Sequence, residues 1–415
     1  MSGAVPRQHM RLRRVITELR QGWSPNCESW PADGIVDWAV LKVGCSNTGV
    51  FEPSENKRLP DTEVPRPELA VRQNEIVMSR ANTKELVGAA SVVLDRYPRL
   101  MLSDLTYGIT LTEVALPKFV VHVLSSGPVR AQIMAAAKGS SPSMQKVSQR
   151  DIHELEIALP PVEEQHAIAA YIDRETAGID TLIEEQQRLI EMLRERRQAV
   201  VDDATAGLGE TAVPLRRALV FLTSGSRGWG DYYADDGERF LRIGNLPRTD
   251  LTVRGEIQFV DLPDDVIEGS RTRLREGDLL FSITAYLGSV AVVDDDDWVD
   301  GYVSQHVALC RLDRERLDPR FVGWVMLSTD GQHQLKQGAA GGTKVQLALD
   351  DIRSLVAPMP PLDEQRRITA YLEEQTTRID QLVAETERFI ELSKERRAAL
   401  ITAAVTGQID VRETA

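Results

Sequence analysis

Residue types that carry out catalysis are few in this 415-residue sequence, and their spacing does not match a known chemistry. The three cysteines, Cys27, Cys45 and Cys310, form no Cys-x-x-Cys pair, and the six histidines lack the His-x-x-x-His spacing of a metal site. The glycine-rich stretch TSGSRGWG at 223–230 has no P-loop lysine, so a turn is its plainer interpretation. We therefore predict no catalytic residue, no metal and no cofactor in this chain.

Composition and charge set the class of protein. Hydrophobic residues make up 42% and charged residues 27%, which is typical of globular domains. No apolar run reaches the ~18 residues of a transmembrane helix, and we expect a cytoplasmic protein. The net charge of −14 is uneven. Residues 1–150 carry 19 Lys/Arg against 14 Asp/Glu, whereas residues 151–210 carry 5 against 15. The acidic total therefore does not argue against nucleic-acid binding by one face.

An internal repeat organises the chain. Residues 151–207 match residues 351–407 without a gap, with 24 identities in 57 positions. The longer segments before each copy have diverged but keep the same order of phrases. For example, VLKVG at 40–44 matches FLRIG at 240–244, and LVGAASVV at 86–93 matches YLGSVAVV at 286–293. The sequence thus indicates two modules, each followed by a nearly identical segment.

The repeated segments have the features of long helices. After Pro161 and Pro361 there is no further proline up to Gly207 and Gly407, and acidic residues follow each Pro-Pro pair. Proline and acidic residues favour a helix start, and glycine favours a helix end. Some 45 residues at 1.5 Å each predict a rod of ~65 Å.

Apolar residues recur in these helices at heptad-like spacing, which predicts that the two helices pair as an antiparallel coiled coil. The alternative is that each helix packs only on its own module. The predicted pairing residues are Ile168, Ile172, Ile179, Leu182, Leu189, Leu193, Ile368, Leu372, Ile379, Leu382, Phe389 and Leu400.

The modules contain short β-branched runs separated by Pro, Gly, Asn and Asp, and each ends in an apolar helix. The predicted fold class is therefore α+β: two mixed, strand-rich domains alternating with two long helices in a pseudo-two-fold internal repeat. We predict the boundaries at 1–158 for the first module, 159–207 for the first helical region, 208–358 for the second module and 359–415 for the second helical region.

The repeated phrases PVEEQHAIAAYID and PLDEQRRITAYLE, each followed by ID-x-L and later by ERR, resemble a known family. They are similar to the conserved regions of the specificity (S) subunit of type I restriction–modification systems, and the likeness covers the whole chain. The resemblance implies two target-recognition domains that each read one half of a split DNA site. It also implies helices that set the spacer and dock two adenine-N6 methyltransferase (M) subunits, which motor–nuclease (R) subunits join. S-adenosylmethionine, ATP and Mg²⁺ are then expected in the partner subunits.

Residues that contact DNA are predicted among polar and basic positions in loops between the strand-like runs, because the strands supply a rigid platform. Arginine and lysine can pair with guanine, and asparagine with adenine. The predicted DNA-binding residues are Ser46, Asn47, Thr48, Lys57, Arg58, Arg80, Asn82, Lys84, Ser224, Ser226, Arg227, Trp229, Tyr286, Thr343 and Lys344.

Two other functions are compatible with parts of this pattern. A self-sufficient methyltransferase or nuclease would need catalytic motifs, which the sequence lacks. A coiled-coil interaction scaffold without a DNA role would need only the helices. Sequence preference of the chain in complex with a methyltransferase partner would separate the scaffold from the DNA-reading subunit.

Overall fold

The computed structural model describes residues 8–139, 141, 144–208, 212–263, 267–338 and 346–411. The chain forms two compact units. Unit 1 comprises residues 1–186 and 388–415, and unit 2 comprises residues 187–387. Each unit therefore contains one strand-rich module together with part of each long helix.

Two very long helices stand out among the helices of the described ranges. The α-helices are α1 (Pro117–Ser125), α2 (Gly127–Ala136), α3 (Gln149–Glu154), α4 (Val162–Thr205), α5 (Pro319–Leu327), α6 (Thr329–Gly338), α7 (Leu349–Ser354) and α8 (Leu362–Thr406). Helices α4 and α8 begin directly after Pro161 and Pro361, as predicted. Gly207 and Gly407 follow their ends at φ of 74° and 80°, a left-handed conformation that glycine adopts without steric cost.

The glutamine of the repeated Glu-Gln phrase fixes the start of each long helix. Gln165 accepts a hydrogen bond from the Leu116 amide at 2.7 Å and donates to carbonyls just before α1 and α4. Gln365 accepts from the Asp318 amide at 2.8 Å and donates to carbonyls before α5 and α8. Both glutamines are fully buried. The motif that identifies the repeat therefore joins each long helix to its module.

The module of unit 1 contains two main sheets. Its strands are β1 (Gln8–Arg11), β2 (Ile16–Gln21), β3 (Ala39–Leu41), β4 (Asn56–Arg58), β5 (Ile76–Ser79), β6 (Ala81–Asn82), β7 (Ala90–Val92), β8 (Leu100–Met101), β9 (Thr106–Leu111), β10 (Gln145–Lys146) and β11 (Glu156–Leu159). One sheet has the order β2-β9-β5-β7 and the other β4-β3-β8, while β1 pairs with β11 and β6 with β10.

The module of unit 2 repeats this plan. Its strands are β12 (Ala212–Pro214), β13 (Leu219–Ser224), β14 (Tyr233–Ala234), β15 (Glu238–Leu241), β16 (Gln258–Val260), β17 (Leu279–Ser282), β18 (Val290–Val292), β19 (Tyr302–Val303), β20 (Val307–Leu312) and β21 (Val356–Pro358). The order β13-β20-β17-β18 reproduces β2-β9-β5-β7, and β12 pairs with β21 as β1 pairs with β11. The second sheet, β14-β16-β15-β19, has one additional strand. This correspondence confirms the internal repeat.

Each unit has its own core, to which both long helices contribute. In unit 1, Phe119 of α1, Ile172 of α4 and Ile401 of α8 belong to one buried cluster. In unit 2, Phe321 of α5 joins Val201 of α4 and Leu372 of α8. The long helices thus pack both on the modules and on each other, so the two packing modes considered from the sequence occur together.

Ion pairs join α4 to α8 within each unit. In unit 1, Arg397 donates to both oxygens of Asp180, at 2.7 and 3.2 Å. In unit 2, Arg197 binds Asp380 in the same way, at 2.8 and 3.2 Å. A further pair in unit 2, Arg194 with Glu387 at 3.1 Å, lies at earlier α4 and later α8 numbers, as antiparallel helices require. The predicted antiparallel pairing is confirmed, and the bidentate pairs occupy repeat-equivalent positions.

The buried seam between the helices differs from the prediction by one residue in one column. Leu382 and Phe389 are 49% and 43% exposed, so their assignment to the seam is wrong. The buried column lies one position later, at Thr176, Ile190, Arg197, Thr376 and Ile390. The apolar pattern misplaced this column because several of its members are polar. Of the other predicted residues, Ile168, Ile172, Leu372 and Ile379 are buried, and Ile179, Leu182, Leu189, Leu193, Ile368 and Leu400 are half-buried.

Candidate nucleic-acid interface

Loops at the ends of the strands in unit 2 form a continuous polar surface. Ser226 forms a parallel bridge with Ser304, which leads into Gln305 and His306. The His306 Nδ1 lies 3.0 Å from the Thr284 hydroxyl and its Nε2 lies 3.2 Å from the Gln305 amide. We call the surface formed by Ser226, Arg248, Thr284, Tyr286, Gln305 and His306 loop surface 2. It presents both hydrogen-bond donors and hydrogen-bond acceptors, and it is attached to the sheet through β17 and β20.

Tyr286 occupies the most unusual position on loop surface 2. Its φ is 56°, and the residue is 55% exposed. The hydroxyl of buried Ser282 donates to the Tyr286 carbonyl at 2.6 Å. The Gln332 side chain of α6 donates to the Gly288 carbonyl at 2.9 Å, which holds the far side of the same hairpin. The guanidinium carbon of Arg248 lies 4.8 Å from the centre of the Tyr286 ring, within cation–π distance.

An equivalent surface occurs in unit 1 with different side chains. Asn82 donates to the Asn47 side-chain oxygen at 3.0 Å, and Arg80 donates to the Asp104 carbonyl at 2.9 Å. The Asp104 amide donates to the Ser24 hydroxyl at 3.2 Å. We call the surface formed by Ser24, Asn47, Arg80, Asn82 and Asp104 loop surface 1. The structure thus brings Asn47, Arg80 and Asn82 together, three of the residues predicted from the sequence.

Arg130 of α2 holds the hairpin that borders loop surface 1. Its guanidinium donates to the Val87 and Glu85 carbonyls at 2.7 and 2.8 Å. Burial lowers the pKa of Arg130 from its ordinary value. The corresponding anchor in unit 2 is Gln332. Both units therefore hold this hairpin with a side chain from the second helix of the module.

Two predicted residues are buried, which corrects the expectation that they lie in exposed loops. The Ser46 hydroxyl donates to the Val77 carbonyl at 2.9 Å and lies 2.7 Å from the Ser91 hydroxyl. Trp229 is only 3% exposed and packs against Phe240 and Tyr302. Side chains directly after a strand or inside a glycine-rich loop can still point into the core, and local sequence does not reveal this.

The remaining predicted residues are spread over the modules. Lys57 and Arg58 lie on β4, where the Arg58 guanidinium is paired with Asp61 at 2.9 Å and Asp37 at 3.6 Å. Thr48, Lys84 and Arg227 are exposed, and Ser224 is half-buried at the end of β13. Thr343 and Lys344 lie outside the described residues.

Sequence reasoning missed Arg248, Thr284, Gln305 and His306 in unit 2 and Ser24 and Asp104 in unit 1. The internal repeat contained a signal for one of them. At the offset of 200 residues that aligns VLKVG with FLRIG, Arg248 corresponds to Thr48, one of the predicted DNA-binding residues. The other residues come together through strand pairing that the sequence does not show.

The long helices carry a second exposed feature, which is apolar. The exposed and half-buried apolar residues at these positions are Leu182 on α4 with Phe389 and Leu392 on α8 in unit 1, and Leu382 on α8 with Leu189 and Met192 on α4 in unit 2. We call these sets helix patch 1 and helix patch 2. Phe389, Leu392, Leu382 and Met192 are each more than 40% exposed. The two sets are repeat-equivalent and border the seam, a placement typical of helix faces that bind other helices.

No group of three or more His, Cys, Asp or Glu side chains among the described residues could hold a metal ion. Burial raises the pKa of the Cys45 and Cys310 thiols to about 12, so both are protonated at neutral pH and are poor nucleophiles. The helices of the described ranges include none that is long and apolar enough to cross a membrane.

Comparison with known proteins gives a consistent result. The profile of the type I restriction modification DNA specificity domain matches residues 254–391. The chain is 28% identical over 165 residues to the type I restriction enzyme EcoEI specificity subunit of Escherichia coli, covering 39% of this chain and 28% of that protein. It is 25% identical over 213 residues to the EcoKI specificity subunit of Escherichia coli strain K12, covering 51% and 44%.

Over the matched regions, this chain is similar to type I restriction–modification specificity subunits. A solved structure from a study titled as the structural basis of complex assembly and conformational transition of the type I R-M system shares its fold. The TM-score is 0.72 at 19% identity, over 97% of this chain and 98% of that one. The matched regions span 28% of the EcoEI subunit and 44% of the EcoKI subunit.

Proposed function

We propose that the chain reads DNA sequence for a type I restriction–modification complex, each unit recognising one half of a bipartite site. The observation that carries the proposal is the pair of loop surfaces. They lie beside corresponding strands of the β2-β9-β5-β7 and β13-β20-β17-β18 sheets, yet their side chains differ. The positions that align with Tyr286 and Arg248 are a leucine at 86 and a threonine at 48, and neither belongs to loop surface 1. Two similar scaffolds with different contact residues suit two different half-sites.

Helix patches 1 and 2 support a second part of this proposal, that the helices dock two copies of an adenine-N6 methyltransferase subunit. Repeat-equivalent apolar sets can bind the same partner surface twice, as symmetric assemblies require. The long helices are acidic, which disfavours contact with phosphates and favours a protein partner. We further propose that motor–nuclease subunits join this complex, and that the helices set the spacer between half-sites.

Catalysis belongs to the partners in this proposal. The chain itself supplies recognition and assembly without a catalytic residue, and S-adenosylmethionine, ATP and Mg²⁺ bind the methyltransferase and motor subunits. The protonated thiols at Cys45 and Cys310 are compatible with this division. Because only part of each curated relative is matched, these roles are proposed from the sites of this chain.

The test is co-expression of the full chain with the methyltransferase subunit of the same host in cells that lack N6-methyladenine, followed by single-molecule sequencing. We expect methylation at one bipartite motif with a fixed spacer. Cells with the methyltransferase subunit alone are the control and should show none. A stable complex that methylates no defined motif would contradict DNA reading and favour the interaction scaffold.

A further inference from the structure

Tyr286 has a backbone conformation that is strained for an aromatic residue. The non-glycine residues with positive φ in the described ranges are Asn74, Tyr286 and Asp300. Asparagine and aspartate tolerate this backbone region, whereas a bulky aromatic residue does so at a steric cost. The corresponding hairpin of unit 1 is three residues longer between its strands, and Leu86 in it has no positive φ. Strained exposed residues often serve a function.

The strain is maintained by buried groups. Ser282, which is 1% exposed, donates its hydroxyl to the Tyr286 carbonyl, and the Ser289 amide donates to the same oxygen at 3.2 Å. Gly288 follows at φ 97° with its carbonyl bound by Gln332. These contacts fix the backbone, and the ring is exposed to solvent. The ring therefore does not contribute to the core.

Arg248 lies over this ring without a carboxylate partner in the described part of the chain. The nearest acidic residue in sequence, Asp250, is already paired with Arg254. Other exposed arginines of unit 2 do pair with acids, such as Arg273 with Glu238 at 3.3 Å and Arg314 with Glu276 at 3.6 Å. The Arg248 guanidinium is thus oriented by an aromatic face while its N–H donors remain available.

A stacked guanidinium has a fixed plane, and its edge presents two parallel donors. Guanine presents two acceptors, O6 and N7, at matching separation in the major groove, and adenine does not. A contact to phosphate needs charge but no fixed plane, so the strained support of Tyr286 would add little to it. Polar groups of Thr284 and His306 border the same hairpin, within reach of neighbouring base edges.

We propose that Arg248, oriented by Tyr286, reads a guanine in the half-site recognised by unit 2. This inference rests on the proposed function and specifies the base class at one position. Loss of the Arg248 guanidinium or of the Tyr286 ring should alter that position alone, because the other contacts of loop surface 2 and all of loop surface 1 are unchanged.

The test uses the full chain in complex with its methyltransferase subunits, and wild-type methylation first defines both half-sites. The Arg248→Lys variant keeps the charge but loses the planar fork. We expect its preference for guanine at one position of the unit 2 half-site to fall roughly ten- to a hundredfold, with the other half-site unchanged. Tyr286→Phe keeps the ring and should resemble wild type. Tyr286→Leu, the residue found at position 86, should relax the same position.

Arg216→Lys is the matched control, since Arg216 is exposed in the same unit on a short 3-10 helix. It should leave the motif unchanged, and thermal melting should show that every variant is folded. Uniformly weaker methylation with an unchanged motif would identify Arg248 as a phosphate contact and overturn the proposal. A unit 2 half-site without guanine, or an unchanged Arg248→Lys motif, would also overturn it. Absence of any motif in wild type would instead count against the proposed function.

Discussion

Replacing Arg197 with alanine is expected to destabilise the protein more than replacing Arg397, its counterpart in the repeat. The two arginines make the same bidentate contact to Asp380 and Asp180, with distances that agree within 0.1 Å. They differ in burial, since the Arg197 side chain is 9% exposed and that of Arg397 is 27%. The chain therefore contains a natural comparison in which geometry is constant and burial changes.

The magnitudes follow from the surroundings of each arginine. Both aspartates are about half exposed, so water screens each pair, and the ion-pair part should be about 0.5–1 kcal/mol in both units. Arg197 also lies 5.9 Å from the centre of the Trp324 ring. Its loss leaves unfilled space beside that ring and an unpaired carboxylate at the seam. We expect about 2 kcal/mol for Arg197→Ala and about 1 kcal/mol for Arg397→Ala.

The assay is urea unfolding followed by circular dichroism, with hydrogen exchange of α4 and α8 peptides to locate the loss within a unit. Double-mutant cycles with Asp380→Ala and Asp180→Ala isolate the pair energies, which should be similar because the geometry is the same. Equal total losses, or a greater loss for Arg397→Ala, would refute the argument that burial decides the difference.

Three further predictions follow from the long helices. Gln165→Ala and Gln365→Ala should each cost about 2–3 kcal/mol of unfolding free energy, measured by urea unfolding, because buried backbone groups lose their partner. Burial raises the pKa of Asp173, but the adjacent Lys118 and His122 of α1 outweigh this effect and lower the pKa. Ionised Asp173 therefore stabilises the folded protein fully at a pH above the ordinary pKa of aspartate, and this contribution is lost as the pH falls through the lowered pKa of the folded state. Asp173→Asn should flatten the acid side of a curve of unfolding free energy against pH. Inserting four residues after both Arg188 and Arg388 adds ~6 Å of helix, so methylome sequencing should show a spacer longer by about one or two base pairs with unchanged half-sites.

The sequence predicts most of the helices and strands, because their limits depend on local signals. Proline-free segments bounded by Pro161 and Gly207 predicted the helix limits to within two residues, and matching phrases at offsets of 200 to 203 residues located corresponding strands. The helix seam was harder to predict. Thr176, Arg197 and Thr376 are buried there, whereas Leu382 and Phe389 face outward. A rule that buries apolar residues fails at this seam, because Arg197 bonds to Asp380 of the facing helix and the Thr376 hydroxyl bonds to the Leu372 carbonyl of its own helix.

The loop surfaces were only partly predictable for a different reason. Asn47 and Asn82 are 35 residues apart, and Arg248 and Tyr286 are 38 apart, so strand pairing brings them together. Local sequence identified the polar loops but gave no way to separate Ser46, which is bonded inside, from Asn47 beside it. Exposure of one side chain in a turn depends on the sheet beneath it.

Positions that stay identical between the two copies and positions that differ serve different purposes in this structure. Gln165 and Gln365 tie helices to modules, and the Asp180–Arg397 and Asp380–Arg197 pairs join the helices. These contacts must be the same in both units because they build the same frame. Even the buried carboxylates under the sheets are kept, although Glu75 is paired by Arg20 and Asp278 by Arg311 from a different strand.

The two copies differ instead in the exposed side chains of their loops. Residue 86 is leucine and residue 286 is a strained tyrosine, on hairpins that Arg130 and Gln332 hold in the same manner. A protein that bound one ligand twice would keep these side chains alike. A protein that must distinguish two sequences with one fold has to vary them while it preserves the supports beneath. The pattern of identity and difference within this single chain therefore favours recognition of two unlike half-sites over a symmetric scaffold.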